Sequence, residues 1–143
     1  MNDPYNLQRF VDAQLGTFDT ALSEMRAGRK ESHWMWFIFP QLRGLGRSST
    51  AQHYGIGSLN EAQAYLEHPM LGPRLLQCAE ALLPWAEKRS AEQIFGPIDA
   101  MKLRSSFTLF DQVKSGGPFA EGLAAFYGGE GDERTLALLN GEE

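Results

Sequence analysis

Residues 32–41 read SHWMWFIFPQ, and whether this run is helix or strand decides the fold class. Aromatic and β-branched residues suit a strand, but a strand needs an alternating partner, and no second such run exists in the 143 residues. Ser32 offers a helix cap and Pro40 disfavours helix in the residue before it, so the run reads as a short helix that ends before Pro40. At roughly 100° per residue, Trp34 and Phe37 are expected on one side of it, with Trp36 and Phe39 pointing elsewhere. The run is also far below the roughly 20 apolar residues that span a bilayer, which excludes a transmembrane role.

Working outward, the remaining segments are helical too. Asp3 and Pro4 open a helix whose apolar residues, Leu7, Phe10, Val11, Phe18, Leu22 and Met25, repeat with a period near 3.6, and Gly28 stops it. Gln41–Ser49 (QLRGLGRSS) is a loop with two glycines and two arginines, followed by a short helix from Ser49 or Thr50 through Tyr54. Ser58 with Glu61 and Ser90 with Gln93 form capping boxes. The first heads a helix to about Glu67, and the second heads a single turn closed by Gly96-Pro97. Between them, Leu71, Leu75, Cys78, Ala79 and Leu82 mark a longer amphipathic helix with Pro84 near its end. Asp99 is expected to cap the helix carrying Leu103, Phe107 and Phe110. Pro118 begins another through Tyr127, and Asp132 caps a last one. The chain is therefore expected to be all-α: one domain, 1–143, of seven or more mostly short helices in irregular orthogonal packing, since a four-helix bundle needs longer periodic segments.

Composition narrows the function classes. With 43% hydrophobic and 22% charged residues the chain is an ordinary globular sequence, with no segment polar or repetitive enough for disorder. A net charge of -5 argues against a dedicated nucleic-acid partner. The charge is uneven, however: five basic residues against one acid lie between Arg26 and Arg47, while the last fourteen residues hold five acids and one base. A local positive site on an acidic body follows. The lone cysteine, Cys78, forms no internal disulfide or cysteine metal cluster, and no signal-peptide layout opens the chain; both favour a cytoplasmic setting. The three histidines lack zinc spacing, so neither a metal nor a cofactor is expected.

Three stretches can carry chemistry. In Ile98–Phe110 (IDAMKLRSSFTLF), Asp99, Lys102 and Ser106 stand three and four apart and meet on one side, with Ser105 and Thr108 nearby. These groups either form a polar strip facing a ligand or bond back into their own helix; a lysine-activated serine is a third reading. In the opening stretch, Arg29, Lys30, Ser32 and His33 make a basic, hydroxyl-bearing rim beside Trp34 and Trp36. His33 fixes the helix start or takes part in ligand contact and proton transfer. In Arg47–Tyr54, guanidinium and hydroxyl groups run into a helix N-terminus and suit phosphate or carboxylate, while the G-x-G of the loop follows no strand and carries no dinucleotide signal.

The segments RFVDAQ (residues 9–14), GRKESHWMWFIFPQLRGLG (28–46), YGIGSLNEAQAYLEHPMLGPRL (54–75) and DAMKLRSSFTLF (99–110), in this order, resemble a bacterial domain-of-unknown-function family, number 1810, over Pro4 to Leu139. The resemblance implies a single all-α domain and no established activity. Members are often labelled calpastatin, but that inhibitor works through flexible segments, whereas the aromatic content and capping signals here are those of a folded domain. A fainter likeness joins the aromatic-proline segment, the Ser48–Tyr54 helix, Glu61-Ala62 and the Lys102 helix. It is similar to all-α proteins of NAD and ADP-ribose metabolism that cleave N-glycosidic bonds. Those place a glutamate in the Ser-to-Tyr helix; SSTAQHY here has no acid.

The expectation is a cytoplasmic domain that binds, or hydrolyses at an N-glycosidic bond, an anionic nucleotide-like ligand related to ADP-ribose or NAD. His33, Asp99 and Lys102 are the catalytic candidates, with Asp99 as general base. Arg29, Lys30, Ser32, Trp34, Trp36, Arg47, Ser48, Tyr54, Ser105 and Ser106 are the ligand-binding candidates. No nucleic-acid or membrane partner is expected. The alternative is a protein-interaction module with the aromatic run as an exposed docking patch.

Overall fold

Ten α-helices follow one another in the computed structural model, which describes residues 3–141, and among these residues there is no strand. They are α1 (Gln8–Gln14), α2 (Phe18–Arg26), α3 (Met35–Ile38), α4 (Ser49–His53) and α5 (Leu59–Glu67). The second half holds α6 (Leu71–Leu82), extended by a 3-10 turn at Leu83–Trp85, then α7 (Ala91–Phe95), α8 (Pro97–Asp111), α9 (Pro118–Tyr127) and α10 (Glu133–Leu139). The nearest thing to a sheet is one bridge between Leu42 and Ile56, where the Arg43 N–H donates to the Ile56 carbonyl and the Ile56 N–H to that of Gln41. No helix among the described residues is long and apolar enough to cross a membrane.

The fifteen-residue α8 is the hub. It packs against α9, α7, α10, α5 and α3, and Ala100, Leu103, Phe107, Leu109 and Phe110 are almost wholly buried along it. Its apolar residues go nearly all the way round, the mark of a central helix. The shorter elements around it are held by caps that the sequence announces. Ser90 and Gln93 exchange both capping-box bonds, Ser48 accepts from the Ala51 N–H, and Asp132 from the Thr135 N–H. The Ser58 box is half formed: Ser58 accepts from the Glu61 N–H, but the Glu61 carboxylate takes the Gly57 N–H and the Arg9 guanidinium instead.

Several local expectations give way to tertiary structure. The first amphipathic segment is two helices, because Gly16 turns the chain at φ +75° between α1 and α2, a conformation that glycine adopts without a Cβ penalty. Asp3 caps ahead of α1, receiving the Leu7 and Gln8 N–H groups. Asp99 lies in the first turn of α8 rather than at its cap, a position that belongs to Gly96. Ser32 does not cap α3; Trp34 takes the cap position with a non-helical φ of -147°. With only four helical residues, α3 is too short for the 100° rule to place Trp34, which turns away from Phe37 and joins Phe39 and Phe95 in the core. Trp34, Met35, Ile38 and Phe39 are buried, while Trp36 and Phe37 are half-buried.

Candidate functional site

The segment joining α2 to α3 has no regular structure of its own, and one carboxylate organises it. Glu24, in the last turns of α2, accepts the Glu31 N–H at 2.7 Å, the Ser32 N–H at 3.0 Å and the Trp34 indole N–H at 2.9 Å. The Ser32 hydroxyl donates to its other oxygen. Burial alone would raise the pKa of Glu24, but these four donors outweigh it and carry the group down to about 2. An acid near a helix C-terminus is ordinarily unfavourable, so the four bonds explain its presence. Further along, the Lys30 N–H donates to the Ile94 carbonyl at 2.7 Å, which ties the segment to α7.

Held in this way, Lys30 points its ammonium group at the head of α8. Lys30 Nζ lies 2.9 Å from Asp99 Oδ2, donates to the Ser32 carbonyl at 2.7 Å and sits 5.0 Å from the centre of the Trp34 ring. The other oxygen of Asp99 faces Lys102 Nζ at 3.2 Å, and that same ammonium group stands 4.0 Å above the Trp36 ring. Two lysines, two tryptophans and one carboxylate therefore form an alternating cluster of charge and aromatic face. Burial works to raise the pKa of Asp99, yet its hydrogen bonds and charge interactions with Lys30 and Lys102 hold it below the usual carboxylate range.

Beyond Lys102 and Trp36 a cleft of about 250 Å³ opens. The α3 side and the following loop contribute Trp36, Gln41, Leu45 and Gly46; α8 contributes Ile98, Met101, Lys102 and Ser105; the head of α10 contributes Asp132 and Arg134. Gly46 is needed where it stands, since a Cβ there would lie 2.7 Å from the Ala51 Cβ. Ile98 and Met101 are 71% and 70% exposed, so the rim is apolar and open.

The thirteen sequence-derived candidates separate clearly. Trp36, Lys102 and Ser105 line the cleft, and the Ser105 hydroxyl also bonds back to the Met101 carbonyl. Asp99 and Lys30 stand behind Lys102, while Trp34 and Ser32 belong to the support beneath Lys30. Arg29 and His33 are exposed and line no part of the cleft. Arg47 and Ser48 are exposed as well, and Ser48 is occupied as the cap of α4. Tyr54 packs its ring against Phe10 and Phe37. Ser106 is fully buried with its hydroxyl unpartnered, on a different side of α8 from the cleft. His33, Lys102 and Ser106 thus face three different surroundings.

Glu24, Gln41, Asp132 and Arg134 are absent from the sequence-derived set. Asp132 is legible as a cap, which it is, but nothing local says that the cap also lines a cleft. Glu24 had one available signal, its place between the buried Leu22 and Met25 on α2. Among the described residues, no three His, Cys, Asp or Glu side chains gather as they would around a metal ion.

A family model described as "Protein of unknown function (DUF1810)" matches residues 4–139. The crystal structure of the conserved hypothetical protein Rv1873 from Mycobacterium tuberculosis is similar at 53% identity and a TM-score of 0.93, covering 96% of this chain and 99% of the other. No curated protein matches the chain.

Proposed function

The chain belongs to the DUF1810 family of proteins of unknown function, and we propose that the cleft beside Trp36 and Lys102 binds an anionic, ring-bearing ligand of the nucleotide-like class related to ADP-ribose and NAD. One observation carries the reading: Lys102 Nζ, 4.0 Å above the Trp36 ring, lies at the wall of an open, otherwise largely apolar cleft. A cation held on an aromatic face offers an incoming anion a charge beside the apolar walls that its ring would contact. A few charged groups among apolar walls, here Lys102, Arg134 and Asp132, are what small-molecule sites commonly use for orientation. A cytoplasmic setting accords with the single cysteine, which is buried and whose thiol is pushed up to about 12, chiefly by burial.

Binding is better supported than hydrolysis by Asp99. A carboxylate held ionised by two ammonium groups is a weak proton acceptor. The hydrolytic reading keeps one specific support, Asp132, which lines the cleft while its Oδ2 caps α10. The docking-patch alternative has less, because four of the six apolar residues of the aromatic run are buried. The test is thermal denaturation with ADP-ribose, NAD and AMP at about 1 mM each, where a ligand that binds the native state raises the midpoint. A midpoint unmoved by all three removes the nucleotide-like reading. Absence of ADP-ribose turnover by the wild type removes the hydrolytic one, and turnover that survives Asp132→Asn removes Asp132 from it.

A further inference from the structure

We infer that the group entering this cleft is a single planar ring bearing one negative charge, an aromatic or heteroaromatic monocarboxylate. This rests on the reading of the cleft as a site for an anionic, ring-bearing ligand and departs from it in the class of that ligand.

Size is the first constraint. The cleft, at about 250 Å³, lies below the roughly 300–1,000 Å³ that accommodates drug-sized ligands. A space of that size suits one ring with one small charged group. A dinucleotide would leave most of its surface outside.

Charge is the second constraint. Lys30 is saturated by Asp99, the Ser32 carbonyl and the Trp34 face, and it neutralises Asp99 from the buried side. Lys102 therefore keeps a surplus positive charge, although it also touches Asp99. At the mouth, Arg134, which donates to the Gly44 and Leu45 carbonyls, and Asp132, which accepts from Thr135, bring one charge of each sign. Three cations against two carboxylates leave a single positive charge, which one carboxylate cancels and a diphosphate overcompensates. Trp36 and Met101 supply apolar contact for a ring, and Lys102 is placed where its acidic edge would lie.

Benzoate and nicotinate are the probes, with benzamide as the uncharged match and ADP-ribose as the large anion. Binding to the full chain is followed by the indole N–H signals of its three tryptophans in two-dimensional NMR. Benzoate and nicotinate are expected to shift the Trp36 signal and leave Trp34 and Trp85 in place, with dissociation constants on the order of 1 mM, as befits a fragment with one ion pair and one ring contact. Benzamide should bind about tenfold more weakly, and Lys102→Met should weaken benzoate by about the same factor. Arg134→Gln, a change at an exposed side chain whose contacts to the Gly44 and Leu45 carbonyls are long, should weaken it about twofold to threefold. Benzamide binding as well as benzoate overturns the inference, as does absence of any shift at about 10 mM probe. ADP-ribose binding without benzoate also overturns it while leaving the nucleotide-like reading intact. Benzoate binding without any nucleotide upholds it and removes that reading instead.

Discussion

Lys102 holds its ammonium group 4.0 Å above the Trp36 ring, from a helix that forms the centre of the core to a side chain on the shortest helix of the fold. This contact joins α8 to α3 at the point where the cleft begins, and Asp99 and Lys30 extend it inward as a row of alternating charges.

The two lysines of that row differ in burial, and this separates their effects. The Lys30 side chain is 8% exposed and that of Lys102 is 21% exposed. Lys30→Met leaves Asp99 with one partner and strips the Ser32 carbonyl of its donor, for an expected loss of about 2 kcal/mol. Lys102→Met removes a cation–π contact and the outer half of a shared pair, for about 1 kcal/mol or less. Urea denaturation of both variants should place Lys30→Met well below Lys102→Met; the reverse order would mean that the cluster is anchored from the cleft side.

The Glu24 clamp makes stability depend on pH in a definite direction. Its pKa falls from an ordinary 4.5 to about 2 on folding, so the unfolded chain takes up the proton first. The clamp contributes fully above pH 4.5 and is lost as pH falls toward about 2. Glu24 is half-buried and partly screened, so Glu24→Gln should cost about 1–2 kcal/mol near neutral pH. The gap between wild type and variant should then close between pH 4.5 and about 2. A gap of constant size across that range would assign the effect to packing instead of charge.

Arg9 uses all five of its N–H donors. They go to the carbonyls of Tyr5, Asn6, His53 and Gly55 and to Glu61 Oε2, at 2.7–3.0 Å. The guanidinium thereby ties α1 to the loop between α4 and α5, and an ammonium group offers only three donors from one point. Arg9→Lys should cost about 3 kcal/mol, since it takes the donor from the Tyr5 and His53 carbonyls and distorts a buried ion pair. Denaturation within about 1 kcal/mol of wild type would mean that the loop carbonyls find other donors.

Gly46 is a packing requirement of the cleft wall. Gly46→Ala puts a methyl group 2.7 Å from the Ala51 Cβ and should cost about 1–3 kcal/mol as an overpacked contact. Adding Ala51→Gly should recover most of that loss, because the two methyl groups compete for one space. Failure of the double variant to recover would place the strain in the loop backbone.

The caps were readable because they are local. Ser90 with Gln93, Ser58 and Asp132 satisfy N–H groups within three residues, so their partners stand beside them in the chain. The polar strip on α8 was readable for the same reason at Asp99 and Lys102, whose spacing brings them together in any helix. Ser106 has helical spacing to Lys102 as well, yet it is buried on a different side from the cleft, because neighbouring helices determine which arc of α8 meets the core.

The sequence by itself determined the helical class, the helix starts that carry a capping side chain and the family, since each depends on period, spacing or motif. Only the tertiary structure decided what the aromatic run does. It took Ser32 and Trp34 into the Glu24 clamp, left Trp36 at the cleft under Lys102, and brought Asp132 and Arg134 to the same wall from the far end of the chain. Those contacts join residues eight to nearly a hundred positions apart, and no local periodicity encodes them, because the energy that selects them is the burial of helix faces against one another.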